Sequence, residues 1–245
     1  MSVLTLMYHS IANRPDDLFS VSPGNFAGQL HYLQCIGYRP VSLDQLCAWF
    51  DGRLLLPRRS YMLTFDDGYF DMFETAWPII HQAGATACIF ITTDWIGERE
   101  RKHVRIGSYT YPMLTWAELR ALADAGVAVG AHTKTHPDLR KVDQRRLWQE
   151  IAGSKRVIED RLGRTVQAFS YPHSQLDPTV LHYVSRANYA IAFGGRPGIN
   201  TRSAMRYHLA RPCVYNDCRI LEFAISVCTG IHLRERFWGW YKGIT

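Results

Sequence analysis

Long apolar segments are missing from this 245-residue sequence. No run reaches the roughly 18–20 residues that a membrane-spanning helix needs. The first ten residues, MSVLTLMYHS, have no basic segment before their short apolar run, and His9 interrupts that run. We therefore expect a β-strand here rather than a signal peptide, and a cytoplasmic location for the protein.

Paired-cysteine motifs, internal repeats and low-complexity tracts are missing as well. The six cysteines are scattered, and no two of them form a C-x-x-C motif. Most lie inside apolar segments, as buried thiols do. This pattern argues against a small disulfide-rich protein and agrees with a reducing compartment.

Strong charge of one sign is also lacking. The sequence has 28 Lys and Arg residues against 22 Asp and Glu residues, a net charge of +6. This excess is mild and dispersed, so a nucleic-acid-binding protein is not indicated. Hydrophobic residues make up 47% of the chain and charged residues 20%, as in a globular protein of one large domain.

Short apolar segments alternate with helical patterns along the chain. Six segments are predicted strands, most of them apolar on both faces: 3–8, 60–65, 86–92, 127–131, 166–171 and 189–193. Such strands are typical of a parallel sheet covered by helices. Capping residues precede five predicted helices: Ser22, Ser42, Thr115, Asp143 and Asp177. The alternation predicts an α/β fold with a mainly parallel sheet, open or closed into a barrel.

Two adjacent carboxylates, Asp66 and Asp67, follow the predicted strand 60–65, and Gly68 comes next. Successive strand residues point to opposite faces, so the two carboxylates share a site only where the strand breaks. Gly68 allows that break. Ligands of α/β folds bind at this end of the strands, although a D-D-G segment alone also suits a solvated turn.

A pair of histidines, His132 and His136, follows the predicted strand 127–131. Imidazoles four residues apart can face one metal ion. Pro137 disfavours a helical conformation at His136, so we expect the pair on a tight turn. Two histidines and one aspartate form the ligand set of a catalytic zinc-like site with an open position. A lone H-x-x-x-H also occurs in ordinary packing, but two polar clusters at strand ends favour a metal site.

The chain resembles the polysaccharide deacetylases of the NodB-homology type, carbohydrate esterase family 4. Residues 60–72 and 114–139 match the first two motifs of that family, and residues 166–173 resemble the third. The resemblance covers roughly residues 3–212, and the joint pattern T-F-D-D-G with H-T-x-x-x-H-P is highly specific. It implies a distorted (β/α)7-type barrel, a single catalytic domain at residues 1–212, and metal-dependent removal of N-acyl groups from amino sugars.

The same resemblance implies roles for the two clusters. Asp67, His132 and His136 would bind one divalent metal ion, and Asp66 would act as general base. Zn²⁺ is the expected ion, although Co²⁺, Ni²⁺ and Mn²⁺ suit the same donors. A metal ion lowers the pKa of bound water and polarises an acetamide carbonyl, and a nearby carboxylate accepts the proton of the water.

The third motif carries one further expected role. Tyr171, followed by Pro172, falls where the family uses a backbone N–H to hold the oxyanion. His173 comes next, and Ser174 occupies the position at which the family motif usually ends in glycine. His173 is a candidate substrate contact or, alternatively, an ordinary loop histidine.

An arginine that orients the base in many family members is missing from this motif, because Ser170 occupies its position. Arg211, in an Ala-Arg-Pro segment, is the candidate to hold Asp66 in its place. The alternative is a base that is less constrained.

A general acid is needed as well, because an amide nitrogen leaves poorly as an anion. Many members use a histidine near the C-terminus in an L-x-L-H-like motif, and His208 in Arg-Tyr-His-Leu matches it poorly. Here a strand at the start of the chain runs into His9. This arrangement resembles the permuted branch typified by poly-N-acetylglucosamine deacetylases. We hypothesise that His9 is the acid; the alternative is a histidine packed at a strand end.

A C-terminal unit is predicted at residues 213–245. Residues 219–233 have an apolar helical pattern, capped by Asn216 or Asp217, and aromatic and basic residues dominate 234–242. Such a segment either packs on the barrel or contacts a membrane surface. In the second case the substrate would be a lipid-linked sugar at the inner face of the membrane.

Three functions remain open on the sequence alone. The first is a metal-dependent deacetylase acting on an N-acetylated saccharide, which is free, polymeric or lipid-linked. The second is a deformylase or another hydrolase of non-peptide C–N bonds, acting on a lipid-linked sugar or a small molecule. The third is a carbohydrate-binding relic without activity, against which the intact Asp66, Asp67, His132 and His136 argue.

Overall fold

The computed structural model describes residues 1–98, 101–102, 109–216 and 218–231. The strands are Ser2–Tyr8 (β1), Ser10–Ile11 (β2), Ser20–Val21 (β3), Arg39–Pro40 (β4), Ser60–Phe65 (β5), Ala87–Ile91 (β6), Arg101–Lys102 (β7), Thr110–Tyr111 (β8), Ala128–Ala131 (β9), Ala168–Ser170 (β10), Ile191–Phe193 (β11) and Asn200–Thr201 (β12). The α-helices are Pro23–Cys35 (α1), Leu43–Phe50 (α2), Trp77–Gln82 (α3), Trp116–Asp124 (α4), Gln144–Leu162 (α5), Pro178–Arg186 (α6) and Ile220–Thr229 (α7). A π-helical turn, Met72–Ala76, directly precedes α3.

Parallel pairing joins six strands in chain order, β1, β5, β6, β9, β10 and β11. At least one α-helix separates each consecutive pair of these strands. Two short strands extend the sheet, with β4 parallel to β5 and β12 antiparallel to β1. Sequential parallel order is that of a (β/α) barrel, so the predicted α/β class is confirmed. The carboxyl ends of all six strands meet at one edge.

The segment 209–214 spans the gap between the first and last parallel strands. Leu209 forms an isolated parallel bridge with Phe193 of β11, and Cys213 forms another with Met7 of β1. No regular strand fills this gap in the described part of the chain, so the sheet is curled but incompletely closed. This is the distortion that the barrel prediction implied.

Both faces of the sheet are covered by apolar side chains. Leu63 and Phe65 of β5 pack in a large cluster that includes the surrounding helices. Met62, on the opposite face of the same strand, packs with Cys88 and Phe90 of β6. Burial on both faces explains why these strands read as continuous apolar runs.

The helix starts follow the capping residues. The side chains of the predicted caps each accept a hydrogen bond from a backbone N–H in the first turn of their helix: Ser22, Ser42, Thr115, Asp143 and Asp177. For α7 the prediction of Asn216 or Asp217 as the cap was wrong. Arg219 is the cap, and its N–H donates to the Glu222 carboxylate at 3.0 Å.

The last described helix, α7, packs against α1. The ring of Phe223 lies 6.2 Å from that of Tyr32, and Val227 is fully buried beside it. The prediction that the helix continues to residue 233 was wrong, because α7 ends at Thr229 and Gly230 caps it with a left-handed φ of 69°. The basic aromatic segment 234–242 lies outside the described residues. Among those that are described, no helix is long and apolar enough to cross a membrane.

Candidate active site and metal centre

Asp66 and Asp67 lie where β5 ends, at the carboxyl edge of the sheet. Asp67 has a φ of 76° and Gly68 a φ of 88°. Two successive residues in the left-handed region break the strand direction, so the neighbouring carboxylates no longer alternate between its faces. Both aspartates are almost fully buried, with 3% and 4% of their surface exposed. The predicted break at Gly68 is confirmed, and Asp67 shares in it.

His132 and His136 lie on a tight turn after β9, as the sequence predicts. Thr133 and His136 both have positive φ, 67° and 62°. The N–H of His136 donates to the Thr133 hydroxyl at 2.9 Å. This non-helical turn brings the two imidazoles together, with their Nε2 atoms 3.1 Å apart.

The predicted metal ligands converge on one point. Oδ1 of Asp67 lies 3.6 Å from Nε2 of His132 and 3.5 Å from Nε2 of His136. A tetrahedral metal site with bonds of about 2.1 Å has ligand–ligand edges of about 3.4 Å. The three donor atoms are therefore spaced like three corners of such a site.

Two further observations support this fit. Oδ1 of Asp67 is buried and has no hydrogen-bond partner within the described ranges, which is unusual for a carboxylate oxygen unless a cation is its partner. Nδ1 of His132 lies 2.8 Å from the Ser170 carbonyl oxygen. A proton on Nδ1 would donate to that carbonyl and leave the Nε2 lone pair free for a metal ion.

Asp66 is held by the residue expected to replace the missing arginine. Arg211 lies on the segment 209–214 and is fully buried. Its Nη1 donates to Oδ1 of Asp66 at 2.6 Å and its Nη2 to Oδ2 at 2.7 Å. Nη2 also donates to the Ser170 hydroxyl at 2.7 Å, and that hydroxyl donates to Asp66 at 3.2 Å. Ser170 is therefore part of the network in which Arg211 holds the Asp66 carboxylate.

The electrostatics of the site favour an ionised Asp66 and a neutral His136. Burial is the largest single influence and opposes ionisation of Asp66, but Arg211, His132 and His9 together outweigh it, so the pKa of Asp66 is lowered from its ordinary value. Burial, with His132 next in importance, lowers the pKa of His136 to about 3. A neutral imidazole keeps the lone pair that a metal ion requires.

His9 follows β1 and lies at the edge of the same site. Its ring packs against Phe19 with centroids 4.7 Å apart. Burial lowers the pKa of His9, and the nearby Asp67 and Asp66 act in the opposite direction. Nδ1 of His9 is buried and lacks a hydrogen-bond partner in the part of the chain that the structure covers. The structure thus brings His9 into the electrostatic range of both carboxylates.

The third motif follows β10. The N–H of Tyr171 donates to the Phe193 carbonyl at 3.2 Å, so the donor that the resemblance assigns to an oxyanion is engaged in the sheet. Pro172 is buried and begins a short 3-10 turn, Pro172–Ser174. His173 is exposed, has a φ of 55°, and lies with its ring 4.5 Å from that of His136.

Two aromatic residues at the site were missed by the sequence reasoning. The Tyr69 hydroxyl donates to Oδ2 of Asp67 at 2.9 Å, and the Trp95 ring lies 5.0 Å from that of His136. Tyr69 could have been found from its place directly after Gly68. Trp95 follows β6. Its place could have been inferred only from the rule that the carboxyl ends of the parallel strands meet at one edge of the sheet.

Comparisons with known proteins find a matching family and related chains. Residues 56–192 match the family model described as "Polysaccharide deacetylase". A poly-beta-1,6-N-acetyl-D-glucosamine N-deacetylase of Staphylococcus aureus is 20% identical over 226 residues, which cover 89% of this chain and 74% of that protein.

Two solved structures share the fold. The Streptococcus pyogenes deacetylase PplD, in complex with acetate, has a TM-score of 0.78 at 24% identity, and the match covers 89% of this chain and 95% of that one. IcaB from Ammonifex degensii has a TM-score of 0.78 at 22% identity, with 94% and 97% covered. Because the family model spans more than half of the residues, the chain belongs to the polysaccharide deacetylase family.

Proposed function

We propose that this protein is a metal-dependent hydrolase that removes N-acetyl groups from an amino sugar in an oligosaccharide, a polysaccharide or a lipid-linked saccharide. The observation that carries the proposal is the position of Asp66 beside the three donor atoms. Its Oδ2 lies 4.0 Å from Nε2 of His132, while both of its oxygens accept from Arg211. The named activity of the Staphylococcus aureus relative supports the substrate class.

Asp67, His132 and His136 would hold the metal ion. Their two nitrogens and one carboxylate oxygen suit Zn²⁺, and also Co²⁺, Ni²⁺ or Mn²⁺. The chemistry that such an ion supplies is a lowered pKa of bound water and a polarised carbonyl oxygen.

Asp66 would accept the proton of the attacking water. Its lowered pKa keeps it ionised at neutral pH, which is the state that accepts a proton. Oδ1 keeps a second lone pair after bonding Arg211, whereas Oδ2 accepts from both Arg211 and the Ser170 hydroxyl. Arg211 fixes the orientation of the carboxylate at both oxygens and thereby acts as the base-orienting residue.

His9 would protonate the departing amine nitrogen, which the proposed reaction requires. Its ring is partly exposed and lies within the electrostatic influence of both Asp66 and Asp67. Tyr171 and Pro172 would form the wall next to the acyl group, and His173 would contact the sugar from its exposed position beside His136.

Metal content and acetate release, measured together, test the proposal. The proteins are wild type, Asp66→Asn and, as a matched surface control, Asp124→Asn, and the substrates are N-acetylglucosamine oligomers and a lipid-linked N-acetyl sugar. We expect one metal ion per chain in all three proteins. Asp66→Asn should release acetate about 10²- to 10⁴-fold more slowly, whereas Asp124→Asn should match wild type because its side chain is exposed.

The other outcomes of this experiment each contradict one part of the proposal. Full activity in Asp66→Asn contradicts its role as base. Bound metal without acetate release moves the substrate towards other acyl groups or C–N bonds, and formate release from an added N-formyl amino sugar, identified by mass, favours the deformylase. A wild-type protein that binds no metal under replete conditions favours the inactive carbohydrate-binding relic.

The cytoplasmic location stays a prediction. The membrane contact stays a prediction as well, because residues 232–245 lie outside the described part of the chain. Flotation with anionic liposomes, with and without these residues, tests the contact. Binding that requires them supports a lipid-linked substrate at the inner face of the membrane, and absence of binding by both forms contradicts it.

A further inference from the structure

Glu150 lies in the second turn of α5 and is buried, with 4% of its surface exposed. Its carboxylate accepts three hydrogen bonds: from the Lys134 N–H at 2.9 Å, the Thr135 N–H at 2.9 Å and the Thr135 hydroxyl at 2.7 Å. Nε of Arg146 lies 3.7 Å away, on a side chain that is half exposed. All three hydrogen bonds therefore go to the turn that carries His132 and His136.

This turn is strained. Thr133 and His136 adopt positive φ values of 67° and 62°, a conformation that costs free energy for residues with a Cβ and persists only where the surroundings enforce it. The two residues between them, Lys134 and Thr135, are the ones that Glu150 holds. The carboxylate thus acts on the middle of the strained segment, and the two imidazoles lie at its ends.

We propose that Glu150 is a positioning residue of the metal site: its carboxylate holds the turn 132–136 so that both imidazoles face Asp67. The inference rests on the metal site of the proposed function. Preformed ligands raise affinity because less ordering is left for the binding step. A turn released from Glu150 would relax its strain and separate the Nε2 atoms, which now lie 3.1 Å apart.

The test is the Zn²⁺ affinity of the purified apoprotein, measured by competition with a chromophoric chelator. In Glu150→Gln the amide oxygen can still accept both N–H groups, but the negative charge that strengthens all three hydrogen bonds is lost, and the NH₂ group forces the Thr135 hydroxyl to accept instead of donate. We expect affinity to fall about 10- to 100-fold, the usual effect of losing a residue that orients metal ligands. The Co²⁺ absorption spectrum should change as well, because the ligand geometry changes.

The matched control is Glu159→Gln on the same helix. Glu159 also accepts a backbone N–H, that of Val166 at 3.0 Å, but it lies far along α5 from the turn. Both variants should lower the apoprotein melting temperature, and Glu159→Gln should keep its Zn²⁺ affinity. Thermal unfolding of the apoproteins therefore separates a general loss of stability from a loss of ligand positioning.

Equal Zn²⁺ affinity in Glu150→Gln and wild type overturns the inference alone, as does an equal loss in Glu159→Gln. A wild-type protein that binds no Zn²⁺ overturns the proposed function with it. If Glu150→Gln does not fold, Thr135→Val decides, because it removes only the hydroxyl bond to Glu150. We expect Thr135→Val to bind Zn²⁺ several-fold more weakly, and unchanged affinity in that variant overturns the inference.

Discussion

Two consecutive aspartates at the end of β5 have different surroundings. Asp66 accepts two hydrogen bonds from the buried Arg211. Asp67 instead presents Oδ1 to two imidazole nitrogens, while its Oδ2 accepts from Tyr69. A carboxylate paired with a fixed cation keeps its charge and orientation, whereas an oxygen without a donor suits a metal ion. These surroundings support separate roles for the two residues as base and ligand.

Replacing His9 by alanine tests the assignment of the acid. We expect kcat for acetate release to fall about 10²- to 10⁴-fold, because the leaving nitrogen then lacks its proton donor. Metal content should stay at the wild-type value, since His9 is outside the ligand set. His31→Ala, at an exposed position on α1, is the control. A His9→Ala protein with its metal and near-normal turnover contradicts the assignment.

Removing Arg211 tests the buried ion pair. Arg211→Met leaves the Asp66 charge buried without its partner, so the free energy of unfolding should fall by about 3–5 kcal/mol in urea denaturation. Adding Asp66→Asn should restore part of that loss, because the uncompensated charge is gone.

The exposed pair of Arg164 and Asp124, joined at 2.6 Å, provides the control. Arg164→Met should change stability by less than about 1 kcal/mol. A double variant that is no more stable than Arg211→Met alone would show that the buried charge is not the source of the loss.

At the scale of elements, the sequence predicted the parts that local signals encode. The six core strands lie within two residues of their predicted ends. Short runs that are apolar on both faces are typical of parallel strands covered by helices, and these strands are buried in that way. The five predicted caps occupy their positions because a side-chain acceptor must satisfy the first helical N–H groups.

The elements that sequence reasoning missed depend on tertiary contacts. The π-helical turn Met72–Ala76 and helix α3 follow a site loop, and Pro78 in the first turn of α3 obscured their helical pattern. Glu150 also gave no signal, because its partners are main-chain N–H groups some fifteen residues earlier. Arg211 was predicted only because Ser170 occupies the position of the arginine that many family members have in the third motif.

Gly130 in β9 shows how tightly the site strands approach one another. A Cβ at this position would lie 2.5 Å from the Phe90 ring and 3.0 Å from the Ala168 carbonyl oxygen. We expect Gly130→Ala to destabilise the protein by about 1–3 kcal/mol in denaturant unfolding, because neither neighbour can move freely.

Gly153→Ala on α5 is the control of opposite sign. There a Cβ meets only the flexible Lys134 side chain at 3.3 Å, so the helical preference for alanine should stabilise the protein by up to about 1 kcal/mol. Equal effects of the two substitutions would contradict the packing argument.

At the scale of the whole molecule, the site depends on the incomplete closure of the barrel. The proposed metal ligands come from the ends of β5 and β9, whereas Arg211 comes from the segment 209–214 that spans the gap. The sequence could not predict this segment as a barrel element because it forms isolated bridges rather than a strand. Contacts that fix the segment 209–214 should therefore affect the orientation of Asp66 more than the affinity for the metal ion.

Asn200 of β12 provides that fixation. Its side-chain amide donates to the Ala210 carbonyl at 2.8 Å and accepts from the Ala210 N–H at 2.8 Å, and it is 1% exposed. It also donates to the Thr5 hydroxyl of β1 at 3.2 Å. The amide thus links β1 to the residue that precedes Arg211.

Asn200→Ala should separate the two halves of the site. Two buried backbone groups of Ala210 lose their partners, so the free energy of unfolding should fall by about 2–4 kcal/mol. The Zn²⁺ affinity should stay within about twofold of wild type, because no ligand is attached to this segment, while kcat falls as Arg211 loses its fixed position. Thr201→Ala, at the exposed neighbouring position, should change none of the three quantities. A loss of Zn²⁺ affinity as large as the loss of kcat would mean that the closing segment supports the whole site rather than the base alone.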